Sequence, residues 1–158
     1  MELELVSEGP THRFAGVGNV LVSVYWGAPQ AGALRERIPW VEKTAARYTK
    51  FGLLVVVIDE AAGGLPDKAF REESRAQAKR WESQLAFSGS VIEGTDVMHT
   101  LLRTFLRGLS VVVGGQVQVG FFDSVLDGAA WVSRHAQGTD RDGPSASTLA
   151  DAVAQLRP

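Results

Sequence analysis

The sequence predicts a single α/β domain with a mixed, mostly parallel sheet of about five strands and four to five helices. Short strand-like apolar segments alternate along the chain with longer segments whose apolar residues recur every three or four positions. One strand-like segment, residues 53–58, is apolar throughout, which is typical of a parallel strand covered on both faces. The 158 residues and the 45% hydrophobic content suit one domain with a sizeable core.

The first 25 residues predict an antiparallel hairpin. Residues 2–6 alternate polar and apolar side chains, and a second extended segment covers residues 14–25, beyond a break at Gly9 and Pro10. Alternation with a period of two is typical of a strand with one solvated face.

An amphipathic helix is predicted over residues 30–48. Charged residues, among them Arg35, Glu36 and Arg37, fall between the apolar positions of its inward stripe. Those apolar positions are Leu34, Ile38, Val41, Ala45 and Tyr48. Pro39 lacks the backbone N–H of a helix interior and predicts a kink or break close to it.

Residues 53–58 are the predicted centre of the sheet. A loop follows, and Pro66 or Asp67 opens a second helix. The inward stripe of this helix is predicted to comprise Phe70, Ser74, Ala78, Trp81 and Leu85. The charged remainder is expected to be a solvated face.

A short strand at residues 90–93 precedes a third helix, which Thr95 or Asp96 can cap. The end of this helix has two interpretations. Residues 110–119 could form a hairpin around two glycines, or the helix could continue to Val113 and leave residues 116–122 as one final strand. We favour the second interpretation because the amphipathic pattern persists to Val113.

Asp123 or Ser124 is predicted to cap a last core helix, with Trp131 over one edge. Its inward residues are predicted to be Val125, Leu126, Ala129 and Val132. Gly, Asp, Ser and Pro predominate in the segment that follows, which predicts a linker and then a short helix. The predicted organisation is a domain over residues 1–136, a linker over 137–147 and a C-terminal helix over 148–158.

Two segments are similar to a known family. They are the buried strand FGLLVVVID at residues 51–59 and the strand-to-helix passage QVQVGFFDSVLDGAAWV at residues 116–132. With the order of the elements, they resemble the STAS domain of bacterial anti-sigma-factor antagonists and the related lipid-binding SEC14-like domains. The resemblance is one of pattern over roughly residues 3–135, and it implies a STAS-like layered fold, bacterial-type signalling and a partner-binding surface.

The chain departs from the STAS pattern at one place that matters for mechanism. In STAS domains that act as phosphorylation switches, the central strand runs into an Asp-Ser or Asp-Thr motif. Here Asp59 follows the strand, but no Ser or Thr occurs before Ser74. We therefore expect no phosphorylation switch.

Composition excludes several classes of function. The absence of cysteine excludes disulfides, thiolate catalysis and cysteine-ligated metals. Sixteen basic and 18 acidic residues, a net charge of −2, provide no basic face for nucleic acid. Residues 53–58 are the longest apolar run, far short of the ~20 residues of a membrane span. The acidic N-terminus differs from a signal peptide, so a cytoplasmic location is expected.

No catalytic, cofactor or metal site is predicted, and we expect a protein that is not an enzyme. His12, His99 and His135 lie in different elements without ligand spacing and are expected to be exposed. The glycines match no phosphate-binding loop, and no Gly-x-Ser-x-Gly elbow occurs.

Two groups of residues are candidates for binding a partner. His99, Arg103 and Arg107 recur at steps of four on one helical face, where two guanidinium groups could receive a carboxylate, a phosphate or an acidic protein. Asp59 and Glu60 follow the central strand, at the sheet edge where ligands of α/β proteins gather.

Three hypotheses follow. The first is a regulatory or scaffold domain that binds a partner protein, or a second copy of itself, through helix faces. The alternative is a small-molecule or lipid-binding module, which requires an apolar cavity beside Trp26, Trp40, Trp81 or Phe105. The third is an enzyme that uses Asp59 or Glu60, and it requires a carboxylate of raised pKa in a cleft.

Overall fold

The computed structural model describes residues 1–58, 66–94 and 116–158. Within these ranges six strands form one sheet, accompanied by five helices. The strands are β1 (Glu4–Gly9), β2 (His12–Val17), β3 (Val20–Tyr25), β4 (Phe51–Val57), β5 (Leu85–Ile92) and β6 (Gln118–Phe122). The helices are α1 (Ala31–Glu36), α2 (Ile38–Tyr48), α3 (Lys68–Arg80), α4 (Val125–Thr139) and α5 (Ala146–Leu156).

The sheet is mixed, with the strands in sequential order from β1 to β6. The first three strands form an antiparallel meander, and β3, β4, β5 and β6 are parallel to one another. This confirms the predicted α/β class and mostly parallel sheet. It also confirms that the valine-rich strand β4 lies inside the sheet, between β3 and β5.

The prediction of one extended strand over residues 14–25 is wrong. The chain turns at Gly18 and Asn19, so this segment supplies both β2 and β3, and the sheet gains a sixth strand. Gly18 has a φ of +58°, which glycine adopts without steric cost. The Asn19 side chain is buried and donates to the Thr139 hydroxyl at 3.1 Å, which ties the turn to the end of α4.

Several predicted helix boundaries are confirmed. The helical segment around Pro39 is broken into α1 and α2, with Arg37 between them. The Asp67 carboxylate accepts from the Phe70 N–H and caps α3, and the Ser124 hydroxyl caps α4.

Two residues were assigned wrongly by periodicity. Leu85 belongs to β5, where it pairs with Phe51, and not to the second helix. Pairing with β4 makes β5 an eight-residue strand, longer than the predicted residues 90–93. Leu126 was predicted to face inward but is 75% exposed, because the buried stripe of α4 runs through Gly128, Ala129 and Val132.

The C-terminal segment is part of the hydrophobic core. Helix α4 runs on to Thr139, into the predicted linker, and α5 buries four apolar residues against the rest of the domain. Those residues are Leu149, Ala152, Val153 and Leu156. The favoured prediction of a single strand near residues 116–122 matches β6, whereas residues 110–115 lie outside the described ranges.

The two faces of the sheet carry different helices. Helices α4 and α5 cover one face, which we call the packed face, and α1, α2 and α3 lie on the other, which we call the cavity face. Successive residues of each strand alternate between the two faces. Every inner strand therefore contributes to both.

Candidate functional site

A partly enclosed cavity of about 160 Å³ lies on the cavity face. Its floor consists of two neighbouring rows of side chains that cross β4, β5 and β6. The first row is Leu53, Ser88 and Val119, and the second is Val55, Ser90 and Phe121. Because both floor positions on β5 are serine, the middle of the floor lacks the bulk of a core side chain and leaves a hollow.

Helix α3 supplies the opposite wall. Phe70, Ser74, Ala78 and the helix-ending Trp81 line the cavity, as predicted for the inward stripe of this helix. Two of these four side chains are small and stand opposite the small serines of the floor. The other described residues in the lining are Tyr25, Leu34, Arg37, Phe51, Leu85 and Val117.

Arg37 is the one charged residue among the described residues that line this largely apolar cavity. It sits at the junction of α1 and α2, and it is only 8% exposed. Its Nε donates to the Gln77 side-chain oxygen at 2.8 Å, and its Cζ lies 6.0 Å from the centre of the Trp81 ring. Burial lowers the pKa of the Arg37 guanidinium, whereas Tyr25 and Glu73 raise it.

Gln77 holds this arginine in place. The Gln77 side chain is 2% exposed, and its amide nitrogen donates to the Leu34 carbonyl at 2.9 Å and to a Glu73 carboxylate oxygen at 2.8 Å. With its oxygen on Arg37, the amide makes three hydrogen bonds: one within α3, one to α1 and one to the residue between α1 and α2. The Nε edge of Arg37 is therefore held in place by a buried hydrogen-bond network.

Tyr25 adds a second polar group to the lining. It ends β3, and it is 4% exposed. Burial raises the pKa of Tyr25 to about 12, against the opposing effect of the nearby Arg37. The phenol therefore stays protonated at neutral pH and can donate a hydrogen bond.

A Ser, His and Glu cluster lies on the same face, but its geometry does not suit nucleophilic catalysis. The Ser7 hydroxyl donates to the Glu36 carboxylate and lies 2.8 Å from His12 Nε2. With its one proton on Glu36, Ser7 can only accept from the histidine, whereas an activated serine donates to it. His12 is 7% exposed, so the expectation of an exposed histidine is wrong: it packs against Phe14.

All five predicted partner-binding residues, Asp59, Glu60, His99, Arg103 and Arg107, lie outside the described residues. At the sheet edge where Asp59 and Glu60 were expected to act, Glu93 directly follows β5 and Asp123 directly follows β6. Glu93 pairs with Arg157 near the C-terminus, with Nη1 3.3 Å from one carboxylate oxygen. One carboxylate at this edge is therefore paired with an arginine.

The described ranges contain no cluster of three or more His, Asp or Glu side chains that could hold a metal ion. None of the helices in those ranges combines the length and hydropathy of a membrane span.

The sequence pattern placed Arg37 on the polar face of a helix and did not distinguish Tyr25, Ser88 or Ser90 from their neighbours. Two signals could have pointed to the cavity. The break near Pro39 implies that Arg37 leaves the regular helical face, and small Ser74 and Ala78 occupy positions of an inward stripe that are usually filled by large apolar residues.

Comparisons of this chain with protein-family models, with curated proteins and with solved structures yield no match. Its function is therefore inferred from the cavity and from the groups that face it.

Proposed function

We propose that this domain binds a small, largely apolar ligand in the cavity between α3 and the sheet, as a non-enzymatic regulatory module. The observation that carries the proposal is the cavity itself, with its apolar walls and the few polar groups that converge on it. Such a combination is typical of small-molecule sites. The resemblance to lipid-binding SEC14-like domains points in the same direction.

The size of the cavity limits the ligand. A cavity of roughly 150 Å³ accommodates a benzene molecule, so about 160 Å³ suits a body of that size. A single aromatic ring or a short branched alkyl chain satisfies this limit. A complete two-chain lipid does not, so the proposal is a small ligand or one end of a larger amphiphile.

The partner-protein hypothesis stays a prediction, because the residues chosen for it lie outside the described ranges. The two ideas are compatible, since a ligand that binds in a cavity can stabilise one arrangement of an interaction surface. The proposal that the chain is a STAS-like signalling domain rests on the sequence pattern alone.

The proposal is tested by titrating the full chain with toluene and with benzoate, followed by methyl NMR. At least one probe is expected to shift the methyl signals of Leu53, Val55 and Val119, which line the cavity. The methyl signals of Val22 and Leu149 on the packed face serve as internal controls and are expected to stay in place. If neither probe shifts the lining methyls, the proposal is wrong.

A cavity-filling variant makes the test specific. Ser88→Val with Ser90→Val adds bulk at the two small floor positions and is expected to weaken probe binding by at least about tenfold. Ser147→Val, the same change at an exposed site on α5, is the matched control and should leave binding unchanged. Circular dichroism establishes that both variants are folded. Undiminished binding to the filled variant would place the probes elsewhere.

A further inference from the structure

Arg37 carries a buried positive charge, which an apolar ligand alone would not compensate. An arginine that is more than nine-tenths buried loses most of its contact with water, and buried charges are normally paired. No carboxylate of the described residues lies within 4.0 Å of the Arg37 nitrogens, although several other arginines have such partners. The arginine is therefore buried without a direct counterion from the described part of the chain.

The hydrogen bonds of Arg37 leave a defined part of the group open. Gln77 occupies Nε, and in the described ranges the two Nη groups have no hydrogen-bond partner. Two parallel Nη donors are the arrangement that binds both oxygens of a carboxylate. Because Gln77 fixes the Nε edge, this pair of donors is oriented before any ligand binds.

Glu73 is the carboxylate whose charge acts on Arg37. That carboxylate is engaged by the Gln77 amide at 2.8 Å and by Arg35, whose Nε lies 3.6 Å away. Glu73 therefore balances part of the positive charge without occupying the Nη donors. It is a remote counterion, and the described residues leave the direct position open.

Tyr25 supplies a further donor near the same charge. Its hydroxyl is protonated at neutral pH, has no hydrogen-bond partner in the described ranges and belongs to a residue that lines the cavity. An anion between Tyr25 and Arg37 would accept from both groups, whereas a neutral apolar ligand would leave all three donors unsatisfied.

We infer that the ligand of this cavity carries a carboxylate, which binds the two Nη groups of Arg37 and the hydroxyl of Tyr25 while its apolar body fills the space between α3 and the serine floor. Gln77 is a positioning residue for Arg37. This inference rests on the proposed function and specifies the chemical class of the ligand: a small aromatic or short-chain carboxylate.

The test compares benzoate with benzamide, which has the same size and shape but no charge, on the full chain by calorimetry. The wild-type protein is expected to bind benzoate at least about tenfold more tightly than benzamide, because a charge-assisted bidentate contact is stronger than a neutral one. Equal affinities would overturn the inference and leave the proposed function standing. If benzoate, benzamide and toluene all fail to bind, the proposed function fails as well.

Variants assign the effect to the named groups. Arg37→Met is expected to bring the ratio of the two affinities close to one, whereas Arg47→Met, the same change at an exposed position of α2, retains the wild-type ratio. Tyr25→Phe keeps the ring and is expected to reduce the ratio a few-fold. A wild-type ratio in Arg37→Met would refute the assignment. If Arg37→Met does not fold, the inference is judged by the benzoate-to-benzamide affinity ratio of the wild-type protein and by its decrease in Tyr25→Phe.

Gln77 is tested by its effect on selectivity. Gln77→Met removes the amide that orients Arg37 and is expected to reduce the affinity for benzoate by a larger factor than the affinity for toluene. If the affinities for toluene and benzoate fall by the same factor, Gln77 maintains the shape of the cavity and does not orient Arg37.

Discussion

The two faces of the sheet differ in how they are filled, although the same strands build both. On the packed face, β5 contributes Phe87 and Val91, which are buried against α4 and α5. On the cavity face, the intervening residues of the same strand are Ser88 and Ser90, and α3 stands across a hollow from them. Because side chains alternate along a strand, one strand supplies a dense core on one side and the floor of a cavity on the other.

Close contacts on the packed face depend on glycines, which have no side chain. A Cβ at Gly52 would overlap the ring of Phe87, and a Cβ at Gly128 of α4 would overlap Val91. These two glycines let an aromatic ring and a helix approach the sheet closely. The cavity face instead buries the polar groups of Arg37 and Gln77 beside an unfilled space.

The largest expected effect comes from the packed face. Leu149→Ala removes a fully buried side chain of α5 and is expected to lower the free energy of unfolding by about 3 kcal/mol, because the cavity it leaves cannot collapse against a sheet. Urea denaturation measures the change. A loss below about 1 kcal/mol would mean that α5 contributes little to the core and that the packed face is not more densely filled than the cavity face.

A matched pair of valines sharpens the contrast between the faces. Val22→Ala on β3 deletes two methyl groups from the packed face and is expected to cost about 2 kcal/mol, whereas Val55→Ala on β4 enlarges an existing cavity and is expected to cost about 1 kcal/mol. Both valines lie in inner strands. Equal losses in urea denaturation would indicate that the two faces are equally packed.

The smallest expected effect is the contribution of His12, on the cavity face, to the pH dependence of the protein's stability. Burial lowers the pKa of His12 below 6.5, and the Glu36 charge opposes this only in part. The unfolded chain therefore takes up a proton at a higher pH than the folded protein does. The stability contribution of neutral His12 is complete above pH 6.5 and is lost as the pH falls towards the folded pKa.

His12→Gln isolates this contribution from that of His135, whose pKa burial also lowers. Between pH 7.5 and 5.5 the wild-type protein is expected to lose more stability than the variant, by less than the ~1.4 kcal/mol per pH unit that one proton can contribute. Identical pH profiles of the two proteins would show that His12 titrates alike in the folded and unfolded chain.

Local signals predicted much of the fold. Valine content located β4, Pro39 located the break between α1 and α2, and the short polar side chains of Asp67 and Ser124 located two helix starts. Local signals failed where pairing with distant residues decided the outcome. The turn at Gly18 is stabilised by contacts with the end of α4, and Leu85 became part of a strand because it pairs with Phe51.

The site was predicted only in outline. The hypothesis of a small-molecule module required an apolar cavity beside one of four aromatic residues, and the cavity found here adjoins Trp81. The arginine in its wall was not predicted, because an arginine between Glu36 and Ile38 has the pattern of a solvated helical position. Its burial follows from the change of direction at the α1 to α2 junction and from Gln77, forty residues away in the sequence.

By itself, the sequence determined the class of the fold, the buried central strand, the caps of two helices and the chemistry excluded by the absence of cysteine. Those properties depend on residue type and on spacing within one element. The tertiary structure alone decided which side chains meet across the sheet, where serines opposite Ser74 and Ala78 leave space and where Arg37 becomes buried. Those properties depend on contacts between elements distant along the chain, which local periodicity does not encode.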